Sequence, residues 1–445
     1  MRQINATTLA DDARFTRFHA IVLFWCAMAI VFDGYDLAVS GIALPAIMEE
    51  MGVSATQAGF MVSSALFGMM FGNALFGALS DRIGRRTVIV VCIALFSLCT
   101  AAAGLTHGPV AFSAMRFLAG LGLGGVMPSV IAQMSEYAPA RIRSTLITGM
   151  FSGYSVGGML AATLGKGLIE SHGWQAVYIV AAAPVVLLPW VWRQMPEAMS
   201  FLVAHGRDEE LKAILARLSP TYVPKAGDRL VLDLRPKEAN VPLRVLFSDG
   251  RGFSTVMFWV TCFMSLFMVY ALSAWLVKLM ISAGYNLGSA LTFVLLLNIG
   301  ATVGAIAGGW FADRLPIKVV ITTMFVMAAL SIALLGHPMP GWLLFMLVGV
   351  AGACTIGTQT LACAYCGQFY PASCRGTGVG LMLAVGRAGG ILAPVLIGVV
   401  VSLSLPLGQN FLVIAAPALL AAVTISLVDH RRSALIQQRA AAASV

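Results

Sequence analysis

Gly77-Ala78-Leu79-Ser80-Asp81-Arg82-Ile83-Gly84-Arg85-Arg86 is a short basic stretch between two long apolar runs, and Gly309-Trp310-Phe311-Ala312-Asp313-Arg314 repeats its first half, Gly309 answering to Gly77. Two more correspondences share that offset. Pro139-Ala140, Arg143 and Thr145 answer to Pro371-Ala372, Arg375 and Thr377, and Gly157-Gly158 answers to Gly389-Gly390. Three independent matches at one offset mean a duplicated chain.

Outward from these stretches the chain is apolar. Of 445 residues, 59% are hydrophobic and 11% charged, against roughly 25% charged in a soluble domain. So few charges cannot cover a soluble surface, which excludes a cytosolic enzyme, a secreted disulfide scaffold and a disordered chain. Twelve apolar segments are read, at about 20–47, 56–79, 87–106, 109–135, 144–168, 173–193, 254–280, 287–311, 318–336, 341–366, 376–401 and 407–428. Each is long enough to cross a hydrocarbon core of about 30 Å as a helix. They are too long and too evenly apolar for barrel strands. Asp33 and Asp36 inside the first segment argue against a cleaved signal peptide. The expected fold is an all-α membrane protein of twelve spans in two parallel six-helix repeats. Its parts are an N-terminal bundle (1–193), a linker with a short amphipathic helix (194–253) and a C-terminal bundle with a tail (254–445). Paired repeats of this kind, with a site between them near the midplane, build alternating-access carriers.

Of the 28 Lys and Arg, 24 lie on the side of the termini and the even-numbered loops. The positive-inside rule predicts both termini and the linker in the cytoplasm. The net charge of +9 is read as this topology signal rather than as a nucleic-acid surface. The Cys363–Cys366 pair lies within an apolar span, with no further ligands nearby to make a metal site. No cofactor is expected, and the chain is expected to act as a monomer.

Four ionisable residues sit deep in spans: Asp33, Asp36, Arg116 and Arg387. Each costs about 2.5–3.5 kcal/mol at a helix centre on insertion scales, so they must face a wet cavity or one another. Asp33 and Asp36 are three apart and share a helix face. Two carboxylates crowded in a low dielectric make a proton-binding device. A guanidinium can hold a carboxylate through two parallel hydrogen bonds, which assigns Arg387 and Arg116 to an anionic substrate. The structural alternative is an Asp33–Arg116 or Asp36–Arg387 ion pair. Tyr35, Tyr154, Tyr270 and Trp275, with Asn298, are the candidate walls of a partly apolar pocket. The stripe Gly120, Gly122, Gly124 and the pairs Gly68/Gly72, Gly153/Gly157 and Gly304/Gly308 are read as close helix contacts. Asp81, Arg82, Arg85, Arg86, Arg143, Asp313, Arg314 and Arg375 are candidate gating residues, placed where charged contacts can form and break at the helix ends.

The stretch 77–86, together with Arg116 and its following glycines and Pro196-Glu197, resembles signatures of the major facilitator superfamily, along the whole chain. More narrowly, Asp33-Gly34-Tyr35-Asp36, the runs 116–128, 135–139, 150–158 and 270–276, and Gly386-Arg387 resemble the aromatic acid:proton symporter family, and most of all its benzoate transporters. The sequence departs from that pattern at Ser40 and Ala388, and Leu315-Pro316-Ile317-Lys318 lacks the Gly-Arg-Arg ending of the first-half loop. The resemblance implies proton-driven import of an aromatic carboxylate, benzoate or hydroxybenzoate in type, across a bacterial inner membrane. Carried over by motif, Asp33, Asp36, Asp81, Arg116, Asp313, Arg375 and Arg387 are its functional positions. A symporter of another organic acid or of sugars, and an antiporting exporter, are the alternatives. Arg387 favours an anion over a sugar, and Gly157-Gly158 without a following Pro weighs against the exporter. A sensor would need an added signalling domain, and an intramembrane hydrolase lacks a nucleophile–base pair.

Overall fold

The computed structural model of the chain describes residues 3–219, 222–224, 228–232, 243–248, 250–371 and 374–433. Its helices, in order, are α1 (Ala6–Asp11), α2 (Arg17–Met51), α3 (Ala55–Ile83), α4 (Arg85–Ala103), α5 (Pro109–Tyr137), α6 (Arg143–His172), α7 (Trp174–Val180), α8 (Ala183–Gln194), α9 (Met199–Ala204), α10 (Asp208–Leu218), α11 (Gly252–Ser282), α12 (Leu287–Ala312), α13 (Ile317–Leu334), α14 (Gly341–Phe369), α15 (Arg375–Ser402) and α16 (Leu407–Leu427). Eleven spans among the described residues are long and apolar enough to cross a bilayer, with α7 and α8 forming one of them. The twelfth is α6. It is 30 residues long but falls short of the others in hydropathy, carrying Lys166 and Glu170 near its end. Pro184 opens α8 after the α7 break, a position where its missing N–H costs no helical hydrogen bond.

The duplication holds element by element. The offset that carries Gly77 to Gly309 also carries α5 onto α14, end for end, and it carries α3, α4 and α6 onto α12, α13 and α15 to within a single turn. The packing recurs too. A Cβ on Gly68 would meet the carbonyl of Phe117, one on Gly72 that of Leu121, and one on Gly120 that of Ala65. At the same offset, Gly300 meets Gly349, Gly304 meets Ala353 and Gly352 meets Leu297. In both halves the second and fourth spans therefore touch backbone to backbone, as small residues allow in a membrane where lipid is no less apolar than leucine.

The chain divides into two compact units. The first holds residues 1–39, 64–161 and 168–235. In it, β1 (Gln3–Asn5) pairs in parallel with β2 (Arg229–Val231), from the segment after α10. Asp11, at the end of α1, binds Arg143, and its carbonyl accepts the Ala140 N–H at 3.0 Å. α6 lies against α2 with no room for side chains, since a Cβ on Gly34 would fall on the Tyr154 backbone and one on Gly157 on the Val31 carbonyl. The second unit holds residues 40–63, 162–167 and 236–445. In it, the hairpin where α2 meets α3 packs on α11 and α15. Ser63 donates to the Ile391 carbonyl at 2.7 Å, Gly41 lies on Ser273, and Gly59 lies on Pro394.

The turn between α3 and α4 shows why glycine is needed in the basic stretch. Gly84 has φ of +93°, which disfavours any side chain. A Cβ there would also strike the Glu197 carboxylate. That carboxylate accepts the N–H groups of Arg86 and Ala198, each at 3.0 Å.

Candidate functional site

α2, α4 and α5 converge on one charged cluster in the first unit. Asp36 and Arg116 are 0% and 1% exposed, and Thr100 is 0% exposed. Arg116 Nη1 donates to Asp36 Oδ1 at 2.9 Å and to Thr100 Oγ1 at 3.0 Å. The Thr100 hydroxyl in turn donates to Asp36 Oδ1. Arg116 Nη2 reaches the Asp36 backbone carbonyl at 3.4 Å, and its guanidinium lies 5.8 Å from the centre of the Tyr178 ring. Both donors converge on Oδ1. The other carboxylate oxygen, Oδ2, is buried and has no hydrogen-bond partner among the described residues. Asp33, one turn earlier on α2, is also fully buried.

The ion pair differs from the pairings expected. Arg116 takes Asp36, not Asp33, because Asp36 lies on the part of α2 that faces both α4 and α5. The repeat supplies a comparison. The positions that match Asp36, Thr100 and Arg116 in the second half are Met268, Ile332 and Val348, and all three are 0% exposed. The same architecture is thus filled with apolar side chains in one half and with a charged cluster in the other. Burying an ion pair costs several kcal/mol per ion in desolvation, often more than the pair returns. Packing alone therefore does not account for the cluster.

Arg387 lies on α15 in the second unit. It is half-buried, and its guanidinium makes no ion pair or hydrogen bond among the described residues. Its neighbour Gly386 rests against the Cys262 sulfur, and Gln359 donates to that sulfur at 3.3 Å. The candidate pocket walls are used in different ways. Tyr35 is buried and donates to the Val177 carbonyl at 2.8 Å, tying α2 to α7. Trp275 is fully buried and donates to the Pro394 carbonyl at 3.0 Å. Asn298 returns its amide N–H to the Val294 carbonyl one turn back at 2.9 Å. Tyr154 and Tyr270 are half-buried.

The candidate gating residues also divide. The side chain of Asp81 lies outside the described residues. Arg85 binds Glu136, which also accepts from the Ser200 hydroxyl at 2.7 Å. Arg86 approaches Glu197 at 4.0 Å and stacks over Trp192 at 4.5 Å. Arg143 binds Asp11 and the Ala138 carbonyl. All these partners belong to the first unit. Arg314 stacks on Trp310 at 3.6 Å. Arg82, Asp313 and Arg375 are exposed and make no ion pair among the described residues.

Thr100 and Glu136 did not stand out as site residues in the sequence. A hydroxyl in an apolar span is ordinary, since it usually bonds back to its own helix. The signal for Thr100 was in the repeat, as a polar residue whose counterpart, Ile332, is apolar.

Comparison with known proteins agrees with this architecture. The family model described as the Major Facilitator Superfamily matches residues 26–394, with a second match over 294–443. A benzoate transport protein of Acinetobacter baylyi is 44% identical over 437 residues, covering 97% of this chain and 94% of that protein. A gallate transporter of Pseudomonas putida is 34% identical, covering 96% of each chain. A 4-hydroxybenzoate transporter of Pseudomonas aeruginosa is 32% identical, covering 92% of this chain and 93% of that one. Among solved structures, a bacterial homolog of the human lysosomal transporter Spinster, inward-facing and unoccupied, superposes with a TM-score of 0.73 at 16% identity, covering 94% of this chain and 98% of that one. A D-xylose-proton symporter gives 0.69 at 18% identity, covering 93% and 98%. With its duplicated six-span halves, and with a family match and relatives that run along nearly its whole length, the chain belongs to the Major Facilitator Superfamily and is a multi-pass membrane transporter, not an enzyme.

Proposed function

We propose that the chain imports aromatic carboxylates of the benzoate or hydroxybenzoate type across a bacterial inner membrane by proton symport with alternating access. The observation that carries the coupling is the buried Asp36–Arg116 pair, set where the repeat carries Met268 and Val348. The names of the relatives support the substrate class, in particular the benzoate transport protein at 44% identity. In this reading both termini and the linker are cytoplasmic, the functional halves are 1–193 and 254–445, and the carrier works as a monomer. The helix-end residues Asp81, Arg82, Arg85, Arg86, Arg143, Asp313, Arg314 and Arg375 serve its gates.

The cycle follows from charge. A proton entering from outside adds to Asp36, with Asp33 one turn away as its relay. The carboxyl becomes neutral, and Arg116 loses its counter-charge. The substrate carboxylate docks on Arg387, whose donors make no hydrogen bond or ion pair among the described residues. Proton and carboxylate together add no net charge, whereas either alone changes by one unit the charge that must be closed into a dry cavity, so the loaded and the empty carrier reorient while half-loaded forms do not. In the second unit, the half-buried Tyr270 is the aromatic wall assigned to the substrate ring, while the buried Trp275 and Asn298 hold their own helices in place.

The test is uptake of labelled benzoate into membrane vesicles with and without an imposed pH gradient, with 4-hydroxybenzoate as competitor. Wild type accumulates benzoate when the outside is acidic, and Asp36→Asn does not. Accumulation by Asp36→Asn at the wild-type level overturns the coupling, and absence of benzoate uptake by wild type overturns the substrate class.

A further inference from the structure

We infer that Thr100 is a positioning residue for the proton step, its hydroxyl holding Asp36 Oδ1 and Arg116 together so that Oδ2 is the oxygen that takes the proton. This rests on the proposed coupling role of Asp36. The geometry is specific. Thr100 donates its one hydroxyl proton to Asp36 Oδ1 and accepts from Arg116 Nη1 at 3.0 Å, while the same Nη1 donates to Oδ1 at 2.9 Å. Three helices thereby meet in one closed ring of hydrogen bonds. Oδ1 is saturated with donors, whereas Oδ2 is buried and has no partner among the described residues.

The ionisable groups facing Asp36 are few. Its own helix brings Asp33 and Tyr35, with the Tyr35 hydroxyl committed to the Val177 carbonyl. α5 brings Arg116, and α7 brings the Tyr178 ring, 5.8 Å from that guanidinium. α6 brings Tyr154 against Gly34. α4 brings no charge here, only the hydroxyls of Thr100 and Ser97. Thr100 is therefore the neutral donor that discriminates between the two protonation states. A hydrogen bond donated to a carboxylate favours its ionised form. When Oδ2 takes a proton, the carboxylate charge disappears and the Thr100 bond weakens to an ordinary neutral one. Thr100 thus helps to draw the proton back off when the carrier resets.

Removing the hydroxyl at constant shape isolates this effect. Thr100→Val keeps the branched side chain, and the duplicated helix already buries Ile332 at the matching position. The measurement is the pH profile of benzoate uptake into vesicles, against outside pH, and of benzoate binding to purified carrier, against the pH of the solution. Thr100→Val moves both midpoints upward by about one pH unit, the scale of a lost hydrogen bond to a charged group. It also lowers the final accumulation ratio. Thr100→Ser restores the wild-type profile. If Thr100→Val does not fold, Thr100→Ala carries the same prediction. Profiles that superpose on wild type, or a Ser variant shifted as far as the Val variant, overturn the role of Thr100. Asp36→Asn run in parallel separates the two failures. If it still accumulates benzoate, the coupling reading fails. If it does not, and Thr100→Val is unshifted, only the present inference fails.

Discussion

At the scale of single residues, the two guanidiniums of the spans differ in what they hold. Arg116 is fully buried and spends Nη1 on Asp36 and Thr100. Arg387 is half-buried and spends none among the described residues. A planar fork with free donors suits a carboxylate, and an ammonium does not reproduce its two parallel bonds. Arg387→Lys is therefore expected to weaken benzoate binding by about tenfold or more, read by calorimetry or scintillation proximity. The same exchange at the exposed Arg207, which precedes α10 and pairs with its Glu210, leaves binding unchanged. The charges were legible in the sequence because an ion in an apolar span is conspicuous. Their pairing was not, because helix periodicity puts Asp33 and Asp36 on one face without saying which of them meets α4 and α5.

At the scale of helices, the close approaches rest on missing side chains. Gly120 stands against the Ala65 backbone, whereas a Cβ on Gly380 of α15 would meet nothing within 4 Å. Gly120→Ala is expected to destabilise the protein by about 1–3 kcal/mol, because backbone cannot yield as a flexible side chain does. Gly380→Ala is expected to be neutral, or to stabilise by up to about 1 kcal/mol through helix propensity. Thermal unfolding of both variants in detergent checks this. The glycine spacing was readable as a contact stripe, but its partner was not, since only the folded chain shows α5 meeting α3 and α14 meeting α12. Gly84 is a different case. Its positive φ could be suspected from the turn, but the Glu197 carboxylate occupying the space of its absent side chain comes from far downstream, beyond the end of α8.

At the scale of the whole molecule, the chain carries its own control. The second half shows that Met268, Ile332 and Val348 can fill the positions of the charged cluster while the helices keep the same register. Grafting them back as Asp36→Met, Thr100→Ile and Arg116→Val is expected to give a folded protein. It should be as stable as wild type or more so, since replacing a buried ion pair with apolar groups is often neutral or stabilising by about 1–4 kcal/mol. Proton-driven uptake is expected to vanish. A monodisperse, thermally stable triple variant that still accumulates benzoate counts against the account. Span order and duplication were legible because hydropathy and one fixed offset suffice to read them. The division of α2 after Val39, with its last turns grouped with the second unit, was not, since it follows from contacts distant in sequence.

The weaker apolar character of α6 bears on how the polypeptide is made. On leaving the ribosome, a segment rich in Gly, Ser and Thr and ending in Lys166 and Glu170 gains less from entering lipid by itself than the more apolar spans do. What receives it is a groove already lined by bare backbone, where Gly34 and Gly157 let α6 settle on α2. α2 is synthesised before α6. The nascent chain thus threads its least greasy helix last but one in that half, onto a template that its own beginning has laid down.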